Sequence, residues 1–286
     1  MKIKIISDSA CDLNEQYIKE NDISIIPFYI TIDDEKSYKD KIDIQSEELI
    51  RNMRQDEGFF AKTSQPSPED YQIVFERYAK ENLPMLCFTI TKQLSGSYQS
   101  ANIAKKLVEE KYDCDIRIID TQSASLAQAL LINHAIKMMH EGKSLDEIVE
   151  VVEQIKHTSE IFISLDTLKY LEKGGRISKT TRIIGNALKL KPILKLEEGK
   201  LEIMDKVIGK KKAIKKLIAT VEDKIKHSPQ DYEMFIVHAD ELEIATQIYD
   251  ELKKTYNFTF QPQSISPVLA SHAGYGALAL GMVKTK

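Results

Sequence analysis

Met85-Leu86-Cys87-Phe88-Thr89-Ile90 is a short apolar run that leads into Lys92-Gln93-Leu94-Ser95-Gly96-Ser97, a segment of hydroxyls and glycine at a helix start. The run has strand length, and the same alternation recurs around it. Ile3 to Ser7, Ser24 to Ile32 and Ile116 to Asp120 also read as strands, with helical patterns filling the gaps. Ser67-Pro68-Glu69-Asp70 starts a helix with a capping serine and a proline in its first turn. Ser144-Leu145-Asp146-Glu147 is a capping box, and Gly142 closes the helix before it. Strands separated by helices cannot pair as hairpins, so they predict a mostly parallel sheet with helices on both faces.

At 286 residues the chain is long for one core, which predicts two α/β domains, 1–159 and 160–286. The second opens with a strand at Ile161 to Leu165, then Gly174-Gly175 and a helix over Arg182 to Lys189. Lys191 to Leu196 and Lys200 to Val207 flank Glu197-Glu198-Gly199, a hairpin whose glycine supplies positive φ. Helices over Lys210 to Lys226 and Glu241 to Tyr256 surround a strand at Met234 to Val237, before a glycine-rich Ala273 to Met282.

A net charge of -4 and a pI of about 6.0 give no basic footprint for nucleic acid. Cys11, Cys87 and Cys114 are odd in number and lack metal or redox spacing, which predicts free thiols and a cytoplasmic location. Neither an apolar leader nor a membrane-length apolar run is present, so no export or membrane span is expected. Lys210-Lys211-Lys212 and Lys215-Lys216 form a basic helix face, read either as solvated surface or as a docking patch for an acidic partner or a transient membrane contact.

Ligands of open parallel sheets sit beyond the carboxyl ends of the strands. Ser7-Asp8-Ser9, Lys92 to Ser97 and Thr121-Gln122-Ser123 follow strands there, though Ser, Thr and Asp also cap helices. In Ser95-Gly96-Ser97-Tyr98 the glycine admits close backbone approach, and the helix start offers N–H groups to an anion. Thr63-Ser64-Gln65-Pro66 reads as another loop of neutral donors, and His272 lies in a glycine-flanked stretch that reads as loop. The six histidines show no metal-ligand spacing, so no metal is expected. Gly274-Tyr275-Gly276-Ala277-Leu278-Ala279 matches the dinucleotide fingerprint formally, but too little chain follows for its βαβ unit, so its glycines read as tight packing. Nucleophile-elbow and phosphate-loop motifs do not occur.

Taken together, Ser7-Asp8-Ser9-Ala10-Cys11-Asp12-Leu13, Thr63-Ser64-Gln65-Pro66 and Leu94-Ser95-Gly96-Ser97-Tyr98-Gln99-Ser100-Ala101 resemble the DegV family. So do Tyr170 to Ser178, Leu190-Lys191-Pro192-Ile193-Leu194 and Pro267 to Gly274, in the same order. The resemblance implies two α/β domains with a long-chain fatty acid in the cleft between them. It also implies the acyl-binding role in bacterial fatty acid kinase, with ATP chemistry left to a separate subunit and no catalysis or cofactor in this chain.

By similarity Thr63, Ser95 and His272 hold the carboxylate, with Ser9, Ser64, Gly96, Ser97 and Arg176 as further pocket residues. A carboxylate neighbour would push His272 toward its charged form. Each buried methylene is worth about 0.8 kcal/mol, so a long acyl chain supplies a gross driving force near about 10 kcal/mol before ordering costs. Val207-Ile208-Gly209 departs from a V-R-T-like stretch of kinase-coupled members, as Ala270 and Tyr275 depart from glycine and proline. The competing reading is an enzyme acting on a small anionic substrate, with Ser95 or Asp8 as nucleophile and His272 as base. A regulatory protein with a purely structural lipid is a third.

Overall fold

The computed structural model describes residues 2–33, 35–177 and 190–285. A parallel sheet is formed by β1 (Lys4–Asp8), β2 (Ser24–Ile26), β6 (Met85–Thr89) and β7 (Ile116–Asp120), in the order β2-β1-β6-β7. Between them in sequence lies a small antiparallel sheet, β4-β3-β5, made of β3 (Tyr29–Ile32), β4 (Lys36–Lys39) and β5 (Ala61–Ser64). The second large sheet contains β8 (Glu160–Ser164), β9 (Leu190–Glu197), β10 (Lys200–Ile208), β11 (Tyr232–His238), β12 (Asn257–Phe258), β13 (Gln263–Ser264) and β14 (Leu278–Lys284). Its order is β10-β9-β8-β14-β11-β12, with β13 also on β11, and it is antiparallel except where β12 and β13 join β11.

The helices are α1 (Glu15–Glu20), α2 (Ser46–Gln55), α3 (Pro68–Lys80), α4 (Ser97–Glu109), α5 (Ser125–His140), α6 (Leu145–Ile155), α7 (Lys169–Gly174), α8 (Lys210–Ile225), α9 (Leu242–Leu252) and α10 (Pro267–Ala273). α3 and α4 bury Tyr71, Phe75, Ala101 and Ala104 against one face of the parallel sheet. α5 covers the other face, and its Leu126 and Leu130 share a continuous core with Ile5 and Phe88 of the parallel sheet and Leu194, Phe235 and Val237 of the second. α8 and α9 close the outer face of that second sheet through Leu217, Val221, Ala245 and Ile248. The expected coverage of both faces of the parallel sheet is therefore present. Among the described residues no helix is long and apolar enough to cross a membrane.

Local signals act where the sequence places them. Ser67 and Ser144 each form a capping box, with Asp70 and Glu147. The β9–β10 turn takes Glu198 and Gly199 to φ of 49° and 81°, as a tight hairpin requires. The single strand expected over Ser24 to Ile32 is instead two, β2 and β3, in different sheets. Pro27 stands at the break, where it lacks an N–H for a ladder and fixes φ. The small sheet also turns the expected Thr63 loop into a strand, with Thr63 opposite Ile30. The helix expected over Arg182 to Lys189 lies outside the described residues.

α10 belongs to the later part of the chain but packs against α2, α7, β3 and β5. Two buried carboxylates from early in the chain hold its start. Asp12 Oδ1 accepts from the Ser266 N–H at 2.8 Å, and Asp40 Oδ1 accepts from the Val268 N–H at 3.0 Å. Carboxyl oxygens at a helix start satisfy free N–H groups whether or not the carboxyl is charged.

Candidate functional site

An apolar cavity lies between the parallel sheet, α10 and the inner face of the second sheet, with about 130 Å³ of room for the centre of a water-sized sphere. Its walls are almost wholly aliphatic, and five polar side chains face it: Thr63, Ser95, Ser125, Arg176 and His272. Such a space accepts a long apolar body with a few polar atoms, because unpaired polar groups buried there would be costly.

Strand alternation aims Thr63 inward while leaving Ser64 exposed. Thr63 Oγ1 lies 2.8 Å from His272 Nε2. His272 is in the last turn of α10, a helix rather than the expected loop, since Pro267 opens it and Gly274 ends it. Burial, and then the neighbouring Arg176 guanidinium, depress the imidazole to about 4, opposite to the direction expected from a carboxylate neighbour. Nδ1 is buried without a hydrogen-bond partner among the described residues and sits against Gly174, where a Cβ would collide with it.

Arg176 donates through Nε to the Leu94 carbonyl at 3.2 Å and through Nη1 to the Gly174 carbonyl at 2.6 Å. These bonds pin the guanidinium beside the Ser95 loop. Among the described residues no carboxylate lies within ion-pair distance of it. The Ser95 hydroxyl accepts from the Ser97 N–H at 3.2 Å and donates to no acceptor among the described residues. Thr63, Ser95, Arg176 and His272 thus bring two hydroxyls, an imidazole and a cation to one lobe of an apolar cavity, a donor set suited to an anion.

The remaining expected pocket residues do not line the cavity. Ser9 is buried, donating to Asp40 Oδ2 at 2.5 Å and accepting from the Phe28 N–H at 3.0 Å. Ser97 is buried and donates to Asp8 Oδ2 at 2.7 Å, so the Tyr71 hydroxyl, 2.6 Å away, donates to Ser97. The Gly96 N–H donates to Gln65 Oε1 at 2.9 Å. The N–H groups of Gly96 and Ser97 are therefore engaged within the protein.

Asp8 also accepts from the Ile90 N–H at 2.9 Å and from Gln128 Nε2 at 3.0 Å, so it fixes both ends of the Ser95 loop. Asp12 Oδ2 accepts from Ser125 Oγ at 2.6 Å. Burial raises all three carboxyls, Asp8, Asp12 and Asp40, the last to about 7. Reading the first motif for its hydroxyls missed this function of its carboxylates. Ser125 was missed as well, because a cavity-facing serine at φ 58° on a helix start looks in sequence like an ordinary cap.

The family profile described as "Uncharacterised protein, DegV family" matches residues 2–285. The chain belongs to the DegV family. A DegV domain-containing protein of Staphylococcus aureus is 33% identical over 288 residues, covering 98% of each chain. Among solved structures, a stearic acid-binding protein from Eubacterium ventriosum superposes with a TM-score of 0.93 at 30% identity, covering 99% of both chains. A fatty-acid-binding DegV protein from Thermus thermophilus superposes at 0.88 with 27% identity, over 99% of this chain and 100% of that one. The DegV fold explains the terminal glycines: a Cβ on Gly274 would strike the Tyr170 ring and one on Gly276 the Asp166 carboxylate.

On the outer surface, Lys210 pairs with Glu241, and Lys216 lies 3.7 Å from Asp205, while Lys211, Lys212 and Lys215 are exposed. Ile208 is 65% exposed. Cys11, Cys87 and Cys114 are free thiols. Among the described residues no three His, Cys, Asp or Glu side chains group as metal ligands.

Proposed function

We propose that this DegV protein is a cytoplasmic carrier of a long-chain fatty acid, with the acyl chain in the cavity and the carboxylate at Thr63, Ser95, His272 and Arg176. One observation carries the reading: an apolar cavity whose hydroxyls, imidazole and guanidinium gather in one lobe. A buried carboxylate needs such partners, and hydrogen bonds to a charged group are worth about 1.5–3 kcal/mol each. Similarity to fatty-acid-binding relatives points the same way. The ligand would sit between domains spanning 1–159 and 160–286.

The carrier reading is favoured over direct catalysis because Nε2 of His272 is engaged by Thr63, and no hydrogen bond joins His272 to Ser95 among the described residues. An imidazole held near about 4 is also a weak base at neutral pH. Presentation of the carboxylate to a separate ATP-dependent kinase subunit is the further step implied by the family. It has to proceed here with Ile208 in place of arginine.

Mass spectrometry of an organic extract of the purified protein tests the proposal, with the Thr63→Val/Ser95→Ala double variant as control. A stoichiometric fatty acid that is lost from the variant supports it. An empty wild type that gains no thermal stability from added fatty acids refutes it. Reconstitution with a fatty acid kinase subunit and ATP then tests the acyl phosphate step.

A further inference from the structure

The inner face of the second sheet is a ruler whose marks are set by strand register. Leu165, Ile163 and Ile161 line the cavity at two-residue intervals, so together they span roughly 13 Å along the strand direction. The Leu165 end is the polar end. Leu165 runs into α7, whose Leu171 also faces the cavity and which packs against the His272 helix. One step further along, Ile163 lies opposite Ala279, and Ala279 opposite Val237, all three lining the cavity.

In the third row the lining is interrupted. Leu201, Leu196 and Ile161 are in register and face the cavity, but the next positions across the sheet are Gly281 and Phe235, and neither lines it. A Cβ on Gly281 would collide with Cζ of Phe235, so the ring lies across the glycine. Phe235 is 0% exposed, and α5 packs over β11 and β14 on this side of the molecule. The ring fills the strip of sheet face along which an apolar channel would otherwise continue.

We infer that Phe235, seated over Gly281, is the stop that limits the length of acyl chain the cavity accepts. This rests on the fatty-acid reading and adds to it a specificity residue remote from the carboxylate. A close-packed aromatic makes a hard stop, because neither the ring nor the helix above it can yield without opening a void. Up to the stop, each further methylene strengthens binding by roughly fourfold. Beyond it, affinity falls.

The test is competition by saturated fatty acids of about 12 to about 22 carbons, the range over which the methylene increment is read, against a fluorescent fatty acid bound to the full chain. Wild type should show a maximum in affinity against length. Phe235→Ala should move that maximum to longer acids, raising the longest acid relative to the wild-type optimum on the order of tenfold. Phe235→Leu should move it less in the same direction, and Ala279→Val, one row nearer the polar end, should move it to shorter acids. If Phe235→Ala does not fold, the other two variants decide. Unchanged length profiles in folded variants overturn the stop and leave the carrier reading standing. A wild type that binds no acid of any length overturns the fatty-acid reading itself, and the stop with it.

Discussion

The Thr63 hydroxyl and the His272 imidazole meet at 2.8 Å across 209 residues of sequence, one from a strand of the small sheet and the other from the last turn of α10. Their meeting converts two unremarkable polar residues into one face of an anion site. Thr63→Val keeps the side-chain shape and removes the hydroxyl. We expect fatty acid affinity to fall by about 10- to 100-fold, the equivalent of one hydrogen bond to a charged group. Titration with a fluorescent fatty acid reads this directly, and the unliganded protein should also lose on the order of 1 kcal/mol of stability, because Nε2 of His272 is left without its partner.

The depressed imidazole also has a signature in stability. Because His272 is held near about 4 in the folded protein, against about 6.5 when unfolded, the unfolded chain takes up a proton first as pH falls. Its contribution is therefore fully present above about pH 6.5 and is lost progressively toward pH 4, by at most about 3 kcal/mol. Urea unfolding at several pH values should show a shallower acid loss in His272→Gln than in wild type.

Asp40 has the opposite sign. Burial raises its carboxyl to about 7, so the folded state holds a proton that the unfolded chain releases near pH 4. Stability from this group is present below about pH 4 and declines as pH rises toward 7. Asp40→Asn retains an oxygen for the Val268 N–H and should stabilise the protein at pH 8 by on the order of 2 kcal/mol, with little effect at pH 5. A variant less stable than wild type at both pH values would contradict this.

Ser95 and Ser97 should separate cleanly. Ser97→Ala leaves Asp8 and Tyr71 each short of a buried partner and should cost about 1–3 kcal/mol of stability. Ser95→Ala removes a cavity-facing hydroxyl and should weaken fatty acid binding with a much smaller loss of stability. Paired unfolding and binding curves distinguish the two.

Much of this was legible in the chain because local chemistry and global fold agree. The capping boxes at Ser67 and Ser144, the Gly199 hairpin and the parallel β1-β6-β7 ladder follow from short-range patterns that packing does not override. Pro27 is the instructive failure: an apolar run that reads as one strand is cut by a residue without an N–H, and its second half seeds the sheet that carries Thr63. The anion site was visible only as separate loops. Which hydroxyls face the cavity depends on strand alternation at Thr63 and on the Asp8 network behind Ser97, and both are settled by partners far away in sequence. Ser125 and the buried Asp12 and Asp40 had no local signal beyond being polar.

The clamp on α10 has a consequence for biosynthesis. The N–H that Asp40 accepts belongs to a residue made 228 positions later, and the one that meets Asp12 lies 254 positions on. On a ribosome the first half of the chain must therefore wait with these two contacts unmade and the cavity incomplete until the His272 helix and Ala279 of β14 behind it have emerged. The ligand site closes last, and a truncated nascent chain has no completed site in which to sequester lipid.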